Sequence, residues 1–153
     1  MSDLDGSRKP VVVTPADEKN SQFSPDGRWI TYETNASGRY EVVVQAFPDG
    51  GRLQSVSRAG GTQPRWRADS REIYFVAPGG MLMAAPVTVA DEKTSRIEIG
   101  MPVALFQTRI VEGGAAVFRP QYDVTRDGHF LIAQSKEASA VPLTLILNWQ
   151  PRR

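Results

Sequence analysis

One short pattern constrains this chain more than any other: Ser24-Pro25-Asp26-Gly27-Arg28-Trp29-Ile30-Thr31-Tyr32. Pro25 presets φ for a turn, Asp26 can hydrogen-bond the backbone just ahead of it, and Gly27 takes a positive φ without steric cost. Trp29, Ile30 and Tyr32 prefer a pleated, half-buried surface, so the pattern predicts a tight turn feeding a strand. It returns as Trp66-Arg67-Ala68-Asp69-Ser70-Arg71-Glu72-Ile73-Tyr74-Phe75, with Ser in place of Gly. A third version is Val124-Thr125-Arg126-Asp127-Gly128-His129-Phe130-Leu131-Ile132. The anchoring aspartates lie 43 and then 58 positions apart. A hairpin recurring at a period near forty predicts an array of β units of the length of propeller blades.

Taken in order, the chain predicts a short edge strand at Pro10–Thr14 and a polar connector at Pro15–Asn20. A first unit over 21–58 then carries strands at Gln22–Ser24, Trp29–Thr34, Tyr40–Phe47 and Arg52–Arg58. The run Val42-Val43-Val44 lacks alternation, as expected of a strand covered on both faces. A second unit over 62–108 reads as Thr62–Trp66, Glu72–Val76, Met81–Val87 and Pro102–Phe106. The polar stretch Asp91–Arg96 is an insertion expected to form a surface excursion. A third unit over 121–148 gives only three strands, at Gln121–Val124, Phe130–Gln134 and Pro142–Asn148. Three strands at one end and a lone strand at the other are the parts of one divided blade.

Composition excludes several classes. Lys+Arg 18 against Asp+Glu 17 leaves a net charge of +1, so there is no electrostatic footprint for nucleic acid or an anionic membrane. With no cysteine, disulfides and thiolate metal sites are absent. The apolar run Val141–Leu147 is too short to cross a bilayer, and the polar N-terminus predicts no secretory signal. With 41% hydrophobic and 23% charged residues, the composition is that of a folded domain.

No catalytic, cofactor-binding or metal-binding residue is assigned. Asp26, Asp69 and Asp127 read as turn anchors, each in its own unit. His129 is the sole histidine, which does not make a metal site. Ser24 lacks the G-x-S-x-G context of a nucleophile elbow. Asn35-Ala36-Ser37 fits a glycosylation sequon but reads as a turn. Trp29, Trp66 and Trp149 are expected to pack between units, and Val103, Leu105, Phe106 and Ile110 to fill strand cores. Arg65, Arg67, Arg71 and Arg119 stand near the first strands of their units, which face the central channel of a propeller. Arg65, Arg67 and Arg119 are therefore the candidate ligand residues for an anion or acidic peptide at the channel mouth. Solvated or carboxylate-paired arginines are the competing reading.

The segments QFSPDGRWITYETNASGRYEVVVQAFPDGG, GGTQPRWRADSREIYF and YDVTRDGHFL…PLTLILNWQ resemble TolB-like (SPDG-repeat, WD40-like) β-propellers. In particular they are similar to the C-terminal propeller blades of certain bacterial membrane-associated serine/threonine protein kinases. The resemblance covers nearly the whole chain, and its most specific parts are the SPDG and LNWQ segments. It implies a non-catalytic module that binds a protein or peptide, in an extracytoplasmic domain of a bacterial membrane protein. No kinase signature is present. The alternatives are a small-molecule or anion site in the central channel, enzymatic or not, or a half-propeller fragment without independent function.

Propellers close with about four to eight blades. Three alone would expose two blade faces, and covering a face of roughly several hundred Å2 at about 25 cal/mol per Å2 contributes many kcal/mol. Two copies give six blades. The expectation is therefore an all-β fold of three four-stranded antiparallel blades, half of a six-bladed ring completed by homodimerisation. Closure would pair Val11, Val12 and Val13 of one chain with Leu143, Leu145 and Leu147 of the other.

Overall fold

In the computed structural model the aspartate turns close as hairpins. The structure describes residues 10–48, 50–91, 96–110, 120–133 and 144–146, with the backbone alone at 91 and 144–146. Ser24 Oγ donates to Asp26 Oδ1 at 2.6 Å and accepts the Trp29 N–H at 3.0 Å. Asp26 Oδ1 also accepts the Arg28 N–H. The third turn copies this chemistry: Thr125 Oγ1 donates to Asp127 and accepts the His129 N–H at 2.9 Å. In the second turn Arg67 replaces the hydroxyl residue, and Asp69 accepts the Arg71 N–H at 3.0 Å. Gly27 (φ +72°) and Gly128 (φ +87°) take the left-handed conformation, and Ser70 adopts it at φ +60° where glycine is missing.

The fold is all-β and antiparallel. The first sheet contains β1 (Glu18–Phe23), β2 (Trp29–Thr34), β3 (Glu41–Ala46) and β4 (Gly50–Ser55), each paired with the next. The second contains β5 (Thr62–Trp66), β6 (Glu72–Val76), β7 (Met81–Asp91), β8 (Arg96–Ile99) and β9 (Val103–Gln107). There β7 pairs with β6, β8 and β9. The third contains β10 (Tyr122–Val124), β11 (Phe130–Ile132) and β12 (Thr144–Ile146). A single 3-10 turn, Pro78–Gly80, links β6 to β7. No helix among the described residues is long and apolar enough to cross a membrane.

Three expectations are corrected. Asp17 and Asn35 clamp the base of the first hairpin, which pulls Glu18–Asn20 into β1 instead of leaving them in a connector. The two ends of the insertion, Asp91 and Arg96, belong to strands: β7 runs on to Asp91 and pairs with β8, giving the second sheet five strands instead of four, while 92–95 lie outside the described residues. Ile97, on the returning strand, is buried in the core, and this anchors the extension. The fourth strand of the first sheet begins at Gly50 and ends at Ser55. Val56 and Ser57 then turn their N–H groups onto the Val42 carbonyl.

The sheets pack through two apolar layers. Trp29, Val42 and Val44 of the first sheet meet Trp66, Ile73 and Phe75 of the second. Tyr74, Val76 and Leu82, on the opposite face of the second sheet, meet Tyr122, Phe130 and Ile132 of the third. Alternation along β6 thus divides Ile73 and Phe75 from Tyr74 and Val76, one pair for each neighbour. Burying each large apolar side chain contributes about 1.5–3 kcal/mol. Gly61 allows the first two sheets to approach, since a Cβ there would lie 2.7 Å from Ser57 Cβ and 2.9 Å from the Phe75 ring.

The free face of the first sheet carries Phe23, Ile30, Tyr32 and Val43. Val11 and Val12 line an open groove of about 340 Å3 over Phe23, Ile30 and Tyr32. Pro10–Thr14 forms no strand within this chain, and Val13 is 77% exposed. Leu145 lies in β12, opposite Leu131. Leu143, Leu147 and Trp149 lie outside the described residues.

Candidate functional site

The first strands of the first two sheets share one local distortion, and a polar seam runs from them to the third. Asn20 and Gln63 each stand six residues before a turn aspartate, and both have positive φ, +53° and +55°. At each, the pairing register with the next strand shifts as a β-bulge. A bulge leaves backbone groups unpaired in its own ladder and turns them outward. Non-glycine residues in this conformation are uncommon and persist where the surroundings fix them.

Here side chains of the same and the adjacent sheet supply those fixings. The Asn20 side-chain amide donates to Glu33 Oε1, and the Gln63 N–H donates to Glu33 Oε2 at 3.4 Å. The Trp66 N–H donates to the Gln22 side-chain oxygen at 2.8 Å. One sheet further on, the Gln121 N–H donates to Gln63 Oε1 at 2.6 Å, and the Tyr122 hydroxyl donates to the Gln63 carbonyl at 2.8 Å. Gln63 is thus the node through which all three sheets are joined.

Glu33 is 1% exposed and lies opposite Lys19 in the β1–β2 register. Burial pushes its carboxyl above the usual value, against the pull of Asn20, Lys19 and the Gln63 N–H. Glu41 moves the other way. Burial raises it, but hydrogen bonds from Ser57, Arg39 and the Gly60 N–H together hold it below its ordinary value. Tyr122 is fully enclosed, and its phenol is held protonated far into alkali by that burial.

Two of the candidate arginines are engaged within the chain. Arg65 is nearly buried: it donates to the Pro64 carbonyl at 2.7 Å, and its Nε lies 3.7 Å from Asp123 Oδ1. Arg67 pairs with Glu72 at 3.0 Å and Asp69 at 3.4 Å within its own hairpin. Arg119 lies outside the described residues. Asp26, Asp69 and Asp127 are each engaged in their own turns, and His129 Nδ1 lies 2.8 Å from Asp127. Among the described residues no group of three or more His, Asp or Glu side chains gathers as a cation site.

Sequence reasoning missed Glu33, Asn20, Gln22, Gln63 and Tyr122. A signal was present: Asn20, Gln63 and Gln121 recur six residues before their turn aspartates, an amide at constant phase. What this geometry can do is accept and donate hydrogen bonds from sheet to sheet, and no nucleophile, base and oxyanion donor meet along it. The chain matches no protein-family model and no curated protein sequence.

Proposed function

We propose that the chain is a non-catalytic β-propeller module of the TolB-like kind, which assembles with a second copy into a six-bladed ring and binds a protein or peptide at an axial face. The observation that carries this reading is an unequal pair of ends. Among the described residues the third sheet has three strands, and Pro10–Thr14 belongs to none. A β-branched segment outside every described sheet and a sheet of three described strands are complementary. The face-to-face order of the sheets, which among the described residues pack on their sequence neighbours through an apolar layer, also fits propeller blades. A channel site for anions is less favoured, because Arg65 and Arg67 already face carboxylates of the chain. Light scattering across micromolar concentrations tests the assembly. A mass of two chains is the expected result, and a stable single chain overturns it.

A further inference from the structure

The seam along the first strands is an open-ended series, and we infer that it continues onto a second copy of this chain. The Gln121 side-chain oxygen accepts the N–H of Asn20 of the partner subunit, and the Asp123 carboxylate accepts the N–H of Phe23 of the partner subunit. This inference rests on the ring reading above and assigns the residues that set its register.

The strand registers fix which residues are equivalent. Phe23↔Ile30, Trp66↔Ile73 and Val124↔Phe130 are one position, and Gln22↔Thr31, Arg65↔Tyr74 and Asp123↔Leu131 are the next. At the first position, the Trp66 N–H is taken by Gln22 of the preceding sheet. It is free to turn there because Arg67 and Glu72 form the adjacent ladder bond. Ser24 and Trp29 form the same adjacent bond, so the Phe23 N–H turns off β1 in the same direction. Six residues before the turn aspartate the N–H groups of Gln63 and Gln121 both donate backward, to Glu33 and to Gln63 respectively. Asn20 holds that position in the first sheet, and no sheet before it is found among the described residues.

The far end of the series offers the matching acceptors. Asp123, at the position of Gln22, is 73% exposed. Its Oδ1 takes the Val124 N–H and faces Arg65, while Oδ2 meets no donor among the described residues. Beside it Leu131, 40% exposed, sits where Tyr74 packs edge-on against Phe130 at 4.9 Å. The Phe130 position in the first sheet is Ile30. Docking therefore places Leu131 on Ile30 and Phe23 of the partner subunit. Val11 and Val12 must leave that groove for the edge of β12, where the ring reading puts them.

Sedimentation equilibrium of the full chain tests this with Gln121→Ala/Asp123→Ala and with Asp123→Asn, which keeps both acceptor oxygen and size. The expected result is a wild-type dimer, Asp123→Asn close to it, and the double variant weakened about tenfold or more in Kd. Amide hydrogen exchange of wild-type Asn20 and Phe23 should slow as dilute monomer becomes dimer. That measurement decides the matter should the double variant fail to fold. A dimer indifferent to the double variant, or one whose Asn20 and Phe23 amides exchange at the monomer rate, overturns the seam and leaves the ring reading standing. A chain that stays single overturns both.

Discussion

Glu33 is the residue whose replacement separates the electrostatic cost of the seam from its structural value. Its carboxylate accepts two donors that have no other described partner, the Asn20 side-chain amide and the Gln63 N–H. Glu33→Ala strands both in a site with 1% exposure. At about 1–3 kcal/mol for each buried donor left unmade, the loss is about 2–6 kcal/mol. For a chain of this size that lowers Tm by at least about 4 °C. Glu33→Gln behaves differently, since its oxygen can hold the Gln63 N–H while its NH2 donates to a flipped Asn20. It should stay within about 1 kcal/mol of wild type at neutral pH. The pH dependence follows from the direction of the shift. The folded carboxyl titrates above the ordinary glutamate value of 4.5, so the folded state holds a proton that the unfolded chain has lost. Stability from this group therefore falls as pH rises through 4.5 toward the folded value, and Glu33→Gln abolishes that fall. Urea unfolding at a series of pH values and one fixed protein concentration reads both effects, because association adds its own stabilisation. A Glu33→Gln profile with the wild-type slope above pH 4.5, or a Glu33→Ala cost within about 0.5 kcal/mol, refutes the reasoning.

Two further perturbations test the turns and the second interface. Ser24→Ala removes the acceptor of the Trp29 N–H and should cost about 1–3 kcal/mol in thermal unfolding, whereas Ser24→Thr should be tolerated because Thr125 makes the same bonds in the third turn. Tyr122→Phe strips a buried bond to the Gln63 carbonyl and should cost about 1–2 kcal/mol. The raised phenol values of Tyr74 and Tyr122 give stability that is complete below pH 10 and lost as pH rises past it. Phenolate absorbance of these two tyrosines should thus appear together with loss of β-sheet circular dichroism, and an earlier appearance would show that they are accessible.

The strands the sequence pattern located best are those flanked by their own punctuation. Thr62–Trp66 and Glu72–Val76 begin and end where expected, because Gly60-Gly61, the Asp69 turn and Ala77-Pro78 bound them. Elements fixed by distant partners were not visible. Glu18–Asn20 is polar and has no strand pattern, yet it pairs with Thr34 and Glu33 because the Asp17–Asn35 clamp holds it there. Asp91 and Arg96 look like loop residues, but they extend a ladder already running through Val87 and Val89. The seam escaped notice for a different reason. Glutamine and asparagine carry no hydrophobic period, and their constant phase before the turn aspartate means something only once the bulges bring successive first strands edge to edge.

The division of labour between the two kinds of contact follows from their directionality. The layers around Phe75 and Phe130 supply most of the favourable free energy, but apolar contact is non-directional and tolerates sliding. Hydrogen bonds that single backbone N–H groups donate to the side-chain oxygens of Gln22 and Gln63 do not tolerate it, because a slip of one residue presents the opposite face of the strand. A buried carboxylate at Glu33, costly to desolvate, has the same consequence: any register that separates it from Asn20 and Gln63 leaves a charge unpaired. Each wrong alignment of two sheets thus forfeits polar bonds without gaining apolar area. The same arithmetic applies at the open ends. Exposed Leu131 and Phe23 would make almost any apolar partner adhere, but in the proposed docking only a surface presenting backbone donors at the spacing of Asn20 and Phe23 matches Gln121 and Asp123. The first strand of another copy of this chain has that spacing by construction.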